Sequence, residues 1–202
     1  MLGLIIFIFQ VSAGDNAVLA EGTEVGSKIV LENTRFEETQ QVKWGTRIFK
    51  FGDRLRIEET FSNSEEVAEV IIWDGKQCRL LMPNNKIQVI PPIRNGIEFI
   101  GFKDDVKDVQ EEKTKWITDK ATKLPVKKET QTGITEYKDY VLIENFGYFP
   151  NVIEEYENGK ISQRTELKGM DKKLELSPKL FDYRNVEFSK EAIELAKKHN
   201  FE

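Results

Sequence analysis

Val70-Ile71-Ile72-Trp73-Asp74-Gly75-Lys76-Gln77-Cys78-Arg79-Leu80-Leu81-Met82-Pro83-Asn84-Asn85-Lys86-Ile87-Gln88-Val89-Ile90 holds three β-prone runs separated by two turn signals, Asp74-Gly75 and Asn84-Asn85. Short turns between such runs mark antiparallel hairpins. A turn at Asp74-Gly75 pairs Trp73 with Lys76, Ile71 with Cys78 and Glu69 with Leu80. A turn near Asn84-Asn85 pairs Met82 with Ile87 and Leu80 with Val89. Successive side chains of a strand point to opposite faces. One face then carries Ile71, Trp73, Cys78, Leu80, Met82, Ile87 and Val89. Gln77, Arg79, Lys86 and Gln88 stand opposite, mixed with Val70, Ile72, Leu81 and Ile90.

Upstream, Arg47 to Phe51 and Arg54 to Phe61 are joined by Gly52-Asp53, a tight turn with positive φ at its first position. Lys50 then faces Leu55 and Ile48 faces Ile57, which puts Ile48, Leu55 and Ile57 on one face. Downstream, Pro91-Pro92 ends the meander because proline has no N–H to donate. The charged stretch Lys103 to Lys115 reads as a loop or an exposed helix. Strand character returns at Lys115 to Thr118, Val126 to Thr130 and Ile134 to Ile143. After Phe149-Pro150 it continues at Val152 to Glu157 and, past the Asn158-Gly159 turn, at Lys160 to Lys168. That turn brings Tyr156 against Ile161 and Val152 against Thr165, and a last strand covers Lys173 to Leu176. Ser189 caps a short helix from Lys190 to His199, with Glu191 early, Lys197 and Lys198 late, and Asn200 as its stop.

The chain has 202 residues, enough for one domain with a core that needs neither disulfide nor metal. It is 39% hydrophobic and 32% charged, which describes a globular protein and not a disordered one. With net charge -5 and its Lys and Arg scattered among acids, it offers no basic stripe for nucleic acid. Leu2 to Phe9 is an uninterrupted apolar run followed by Gln10 and Val11-Ser12-Ala13. It reads as a secretory signal over residues 1–13, cut after Ala13, and falls short of the roughly 20 apolar residues a transmembrane helix needs. Residues 14–202 then form a single domain, soluble in the periplasm after cleavage, with no cysteine at its start to acylate. The lone cysteine, Cys78, reads as a small core hydrophobe on a strand.

Catalytic signatures are missing. There is no nucleophile elbow, phosphate-binding glycine loop, dinucleotide fingerprint or C-x-x-C pair, and the one histidine is His199. Asp104, Asp105, Asp108, Glu111 and Glu112 read as a solvated run without the spacing of a calcium loop. The expectation is a protein that is not an enzyme and holds no metal or cofactor.

Trp116-Ile117-Thr118-Asp119-Lys120-Ala121-Thr122-Lys123-Leu124-Pro125-Val126-Lys127-Lys128-Glu129 resembles a recurrent hairpin of the LolA-like superfamily, periplasmic lipoprotein carriers and outer-membrane lipoprotein-sorting proteins. Lys123 stands where that hairpin usually has glycine. Similarity continues through Tyr137-Lys138-Asp139-Tyr140, Phe149-Pro150, Glu155-Tyr156-Glu157-Asn158-Gly159-Lys160 and Leu176-Ser177-Pro178-Lys179-Leu180-Phe181. Upstream, Phe51 to Ile57 and Trp73 to Pro83 resemble the central strands, so the likeness spans about Ile29 to Tyr183. The helix that usually precedes the first strand is not evident between Gly14 and Gly26.

The resemblance implies a mainly β, α+β fold: a strongly curved antiparallel sheet forming an unclosed barrel, with a few covering helices including the short C-terminal one. It also implies a carrier or binder of lipid or lipoprotein acyl chains in an apolar cavity, serving envelope trafficking, with envelope membrane proteins as further partners. The expected ligand-binding face is Ile48, Leu55, Ile57, Ile71, Trp73, Leu80, Met82, Ile87 and Val89. The alternative is a non-transporting interaction module of the envelope with a filled core.

Overall fold

The computed structural model describes residues 24–91, 114–143 and 146–198. Its eleven strands begin with β1 (Glu24–Phe36), β2 (Gln41–Phe51), β3 (Arg54–Thr60), β4 (Val67–Trp73), β5 (Cys78–Leu81) and β6 (Ile87–Ile90). They continue with β7 (Lys115–Thr118), β8 (Pro125–Glu129), β9 (Ile134–Ile143), β10 (Gly147–Glu157) and β11 (Lys160–Leu176). Two 3-10 turns, Pro178–Phe181 and Tyr183–Asn185, and one helix, α1 (Lys190–Lys198), complete the described chain. The strands make one antiparallel sheet in the order β6-β5-β4-β3-β2-β1-β11-β10-β9-β8-β7. It is not closed into a barrel.

The two longest strands, β1 with 13 residues and β11 with 17, pair at the centre. Their ladder shifts register between Gly26 and Lys28 and again between Val30 and Leu31. Such bulges bend a strand and increase its twist, so two of them in the middle pair coil the whole sheet. Glu59 on β3 and Lys128 on β8 consequently line one cavity although their strands lie six positions apart. A flat sheet would hold those strands roughly 29 Å apart. Gly26 is required at the first bulge, because a Cβ there would lie 2.5 Å from the Lys50 carbonyl oxygen and 2.5 Å from Leu176 Cδ1.

The hairpin registers follow from their turns. Lys50 pairs with Leu55 and Ile48 with Ile57, as the Gly52-Asp53 turn predicts, and Gly52 has φ +54. At Asp74-Gly75 the expected two-residue turn is instead a four-residue loop, so Trp73 pairs with Cys78 and Ile71 with Leu80. The Asp74 carboxylate causes this by accepting from the backbone N–H of Lys76 at 2.8 Å and of Gln77 at 2.9 Å. The slip is two residues, so every side chain keeps its face.

The next turn slips by one. Asn85 donates to the Met82 carbonyl and adopts φ +62, which adds a left-handed residue after a turn that Pro83 opens. Ile87 therefore pairs with Leu81, and Val89 with Arg79. The expected placement of Ile87 and Val89 on the apolar face is corrected: they are 52% and 64% exposed on the other side, and Gln88 and Ile90 take their places. Beyond Asn158-Gly159, Tyr156 pairs with Ile161 as expected, but a bulge at Glu155 and Tyr156 sets Val152 against Glu166 and Thr165 against Ile153. Lys160 to Lys168 and Lys173 to Leu176 are one continuous strand.

The main core lies on the inner face and joins Ile29, Leu31, Ile48, Leu55, Ile57, Ile71 and Cys78 to Tyr137, Ile143, Phe146, Phe149 and Ile153. Val70, Ile72 and Leu81 form a second cluster on the outer face, covered by Tyr183, Val186 and Phe188. Beside it Ala192 and Ala196 of α1 pack on Phe61 and Ala68. Among the described residues the one helix is the expected C-terminal one, and it covers the outer face. Ser189 caps α1 through its Oγ, which accepts from the Ala192 N–H at 2.9 Å. The expected leader at 1–13, Pro92, the acidic run around Asp104 and His199 lie outside the described residues.

Gly26→Ala should lower stability by about 1–3 kcal/mol, since the Lys50 carbonyl is backbone and cannot step aside. Gly169→Ala, whose Cβ would meet nothing within 4 Å, should change it by less than about 0.5 kcal/mol. Urea midpoints of the two variants decide it. Equal values would show that the bulge is not tightly packed.

Candidate ligand-binding site

The inner face changes character along its length. Two residues beyond Leu31 stands Asn33; two before Ile48 stands Thr46; two beyond Ile57 stands Glu59; two before Ile71 stands Glu69. A period of two puts each on the same face as its apolar neighbour. The registers align them, with Thr46 opposite Glu59 and Glu59 opposite Glu69, while Asn33 pairs with Thr165, Thr165 with Ile153 and Ile153 with Tyr137. Beside the apolar rows the sheet therefore carries a polar belt.

A directed hydrogen-bond chain holds that belt together. Thr165 Oγ1 donates to Asn33 Oδ1 at 2.8 Å, and Asn33 Nδ2 donates to Thr46 Oγ1 at 2.8 Å. Thr46 Oγ1 then donates to Glu59 Oε1 at 3.3 Å. The relay crosses β11, β1, β2 and β3, satisfies buried Asn33, Thr46 and Thr165, and ends on a carboxylate.

Over the belt lies a cavity of about 430 Å³ walled by Trp44, Tyr137 and Ile153 and bordered by Glu59, Glu155 and Lys128. A second cleft of about 280 Å³ shares Trp44 and Glu59 with it and adds Arg35 and Glu69. The Tyr137 ring is backed by Trp116, stacked with centroids 6.0 Å apart. Cavities of this size suit a small ligand or one end of a larger one.

Burial pushes the Glu59 carboxyl up to about 7, and the neighbouring Glu69 pushes in the same direction. Hydrogen bonds from Thr46 and Trp44 act against both. Burial also raises Glu69. Glu155 is raised by burial and by Glu157, and is opposed by Lys128 and Arg35. Tyr137 is raised by burial and by Glu155, so its hydroxyl keeps its proton. Glu59 can therefore take up or release a proton near neutral pH. Among the described residues no group of three or more His, Cys, Asp or Glu is placed to hold a metal, and no helix is long and apolar enough to cross a membrane.

The expected ligand residues divide. Ile48, Leu55, Ile57 and Ile71 are buried in the core, Trp73 and Leu80 are half-buried against it, and Met82 is half-buried at its turn. Ile87 and Val89 are on the far face. None of the nine borders the 430 Å³ cavity. Alternation already places Glu59 and Glu69 on the inner face. A search for apolar repeats passes over them because they interrupt the pattern it seeks.

The folded protein holds a proton on Glu59 at pH values where the unfolded chain, near 4.5, has released it. This contribution to stability is complete below pH 4.5 and is lost as the pH rises to about 7. Glu59→Gln should therefore gain in urea midpoint relative to the parent protein between pH 5 and pH 8. Parallel curves across that range would show that Glu59 titrates normally.

No protein-family model matches the sequence, and no curated protein matches it. Solved structures do. A LolA superfamily protein from Nitrosomonas europaea aligns with TM-score 0.53 and 15% identity over 80% of this chain and 91% of its own. A domain from Vibrio parahaemolyticus named for outer membrane lipoprotein sorting aligns with TM-score 0.50 and 11% identity over 79% and 90%. The chain therefore shares the fold of these two proteins, a likeness of fold and not of sequence.

Proposed function

We propose that the protein is an exported, periplasmic carrier or binder of a lipid or lipoprotein acyl chain, acting in envelope lipid or lipoprotein trafficking without catalysis. The observation that carries this reading is a curled sheet that does not close into a barrel and holds a cavity on its inner face. There Trp44, Tyr137 and Ile153 wall a cavity of about 430 Å³ beside the apolar core. The LolA-type fold supports it, as does the apolar leader at residues 2–9.

In this reading the fully buried Ile48, Leu55 and Ile57, with Ile71, form the floor, and the half-buried Trp73, Leu80 and Met82 are the side chains that could yield to an acyl chain. Each methylene removed from water contributes roughly 0.8 kcal/mol, so a few suffice for reversible binding. Met and aliphatic side chains repack around a flexible chain at small cost.

A second reading is an envelope interaction module with a filled core. It is favoured by Ile29 and Ile48 at 0% exposure, which leaves no apolar space beneath them.

The test is mass spectrometry of lipids co-purifying with residues 14–202, isolated gently from an envelope extract, beside a Thr135→Trp variant that fills the cavity from its β9 wall. The expected result is a bound lipid in the parent protein, reduced at least tenfold in the variant. A lipid-free, stable parent protein would shift the assignment to the interaction module.

A further inference from the structure

We infer that the cavity at the polar end of the inner face is a subsite for an organic ammonium group, which Glu59 and Glu69 neutralise and the Trp44 indole walls. Resting on the lipid-binding reading, this names the class of ligand: an amphiphile with a cationic head.

The first argument is the shape and chemistry of the space. Trp44 and Glu59 are shared by both clefts, so indole and carboxylate meet at the junction of some 430 Å³ and 280 Å³ of open volume. Aromatic faces attract ammonium groups through the ring quadrupole. The guanidinium of Arg35 already lies over the Trp44 ring at 5.5 Å, so this indole accommodates a cation.

The second argument is charge accounting. Around the two clefts stand three acids, Glu59, Glu69 and Glu155, and two bases, Arg35 and Lys128. Arg35 and Lys128 act on Glu155. Glu59 and Glu69 face each other directly across β3 and β4, and neither makes an ion pair among the described residues. Like charges directly opposite on a sheet destabilise it, and burial adds to the cost. A bound cation offsets the repulsion and part of the burial cost.

The third argument is rigidity. Glu59 is held by the relay from Thr165 through Asn33 to Thr46, whose hydroxyl is the one donor the relay gives the carboxylate, and which anchors it on strands. A charge fixed this way before the ligand arrives loses little freedom on binding.

The test is isothermal titration calorimetry of the mature chain at pH 8, above the Glu59 midpoint of about 7, so that Glu59 is largely ionised. The probes, all below their micelle concentrations, are dodecyltrimethylammonium, dodecyl maltoside, dodecanoate and tetramethylammonium. The expected result is at least tenfold tighter binding of dodecyltrimethylammonium than of the neutral and anionic chains. That preference should disappear in Glu59→Gln/Glu69→Gln. It should persist in Glu191→Gln/Glu194→Gln, which changes net charge equally on the exposed surface of α1. The Gln pair is close in size to the parent, and its far-ultraviolet circular dichroism checks folding. Equal binding of all three chains, or an unchanged preference in the Glu59→Gln/Glu69→Gln variant, would overturn the ammonium subsite and leave lipid binding standing. Binding of tetramethylammonium alone would support the subsite and remove the lipid. No binding by any probe would overturn both.

Discussion

A sheet that curls without closing has to fill its inside with its own side chains, and everything else in this protein follows from how it does so. The curl starts at the β1 and β11 pair, where two bulges and Gly26 let the longest strands coil against each other. That coil sets β3 and β8 around one cavity and lets Ile29, Ile48 and Ile57 share a cluster with Phe149 and Ile153. An edge-to-edge closure would have paired β6 with β7 and removed the free edges.

The inner face is used in two ways. Its apolar part is packed to zero exposure at Ile29 and Ile48. Its polar part carries buried Asn33, Thr46 and Thr165, and these cost stability unless each donor finds an acceptor. The relay ending at Glu59 meets that condition. It leaves charge facing the cavity, from Glu59, Glu155 and Lys128, beside the rings of Trp44 and Tyr137 and the side chain of Ile153. An acyl chain alone would not need such a lining.

The outer face answers a different problem. Val70, Ile72 and Leu81 face away from the main core, and a sheet apolar on both sides requires a cover on both. The C-terminal segment supplies it, with Tyr183, Val186 and Phe188 over those residues and α1 on Phe61 and Ala68. Arg56 donates to the Leu180 carbonyl at 3.0 Å, and the Arg79 guanidinium lies over the Tyr183 ring at 4.3 Å, so the segment is tied down as well as packed. The short C-terminal helix is here part of the scaffold.

By itself the sequence determined the class of fold, most strand positions, the cap at Ser189 and the pairing of Ile48 with Ile57, because alternation and turn residues act over a few neighbours. Parity also placed Glu59 and Glu69 inside, legible beside Ile57 and Ile71 to a reading that weighs polar residues as well as apolar ones. Turn length it did not determine. Asp74 captured two N–H groups and moved its hairpin by two without changing a face, whereas Asn85 moved the next by one and turned Ile87 and Val89 outward. Only the tertiary structure decided which face the C-terminus covers, and that residues from β3 and β8 border one cavity. Those outcomes depend on the accumulated coil of many strands, a long-range quantity to which each bulge contributes and which no local window contains. The raised Glu59 carboxyl likewise comes from the folded state, since burial is its largest cause.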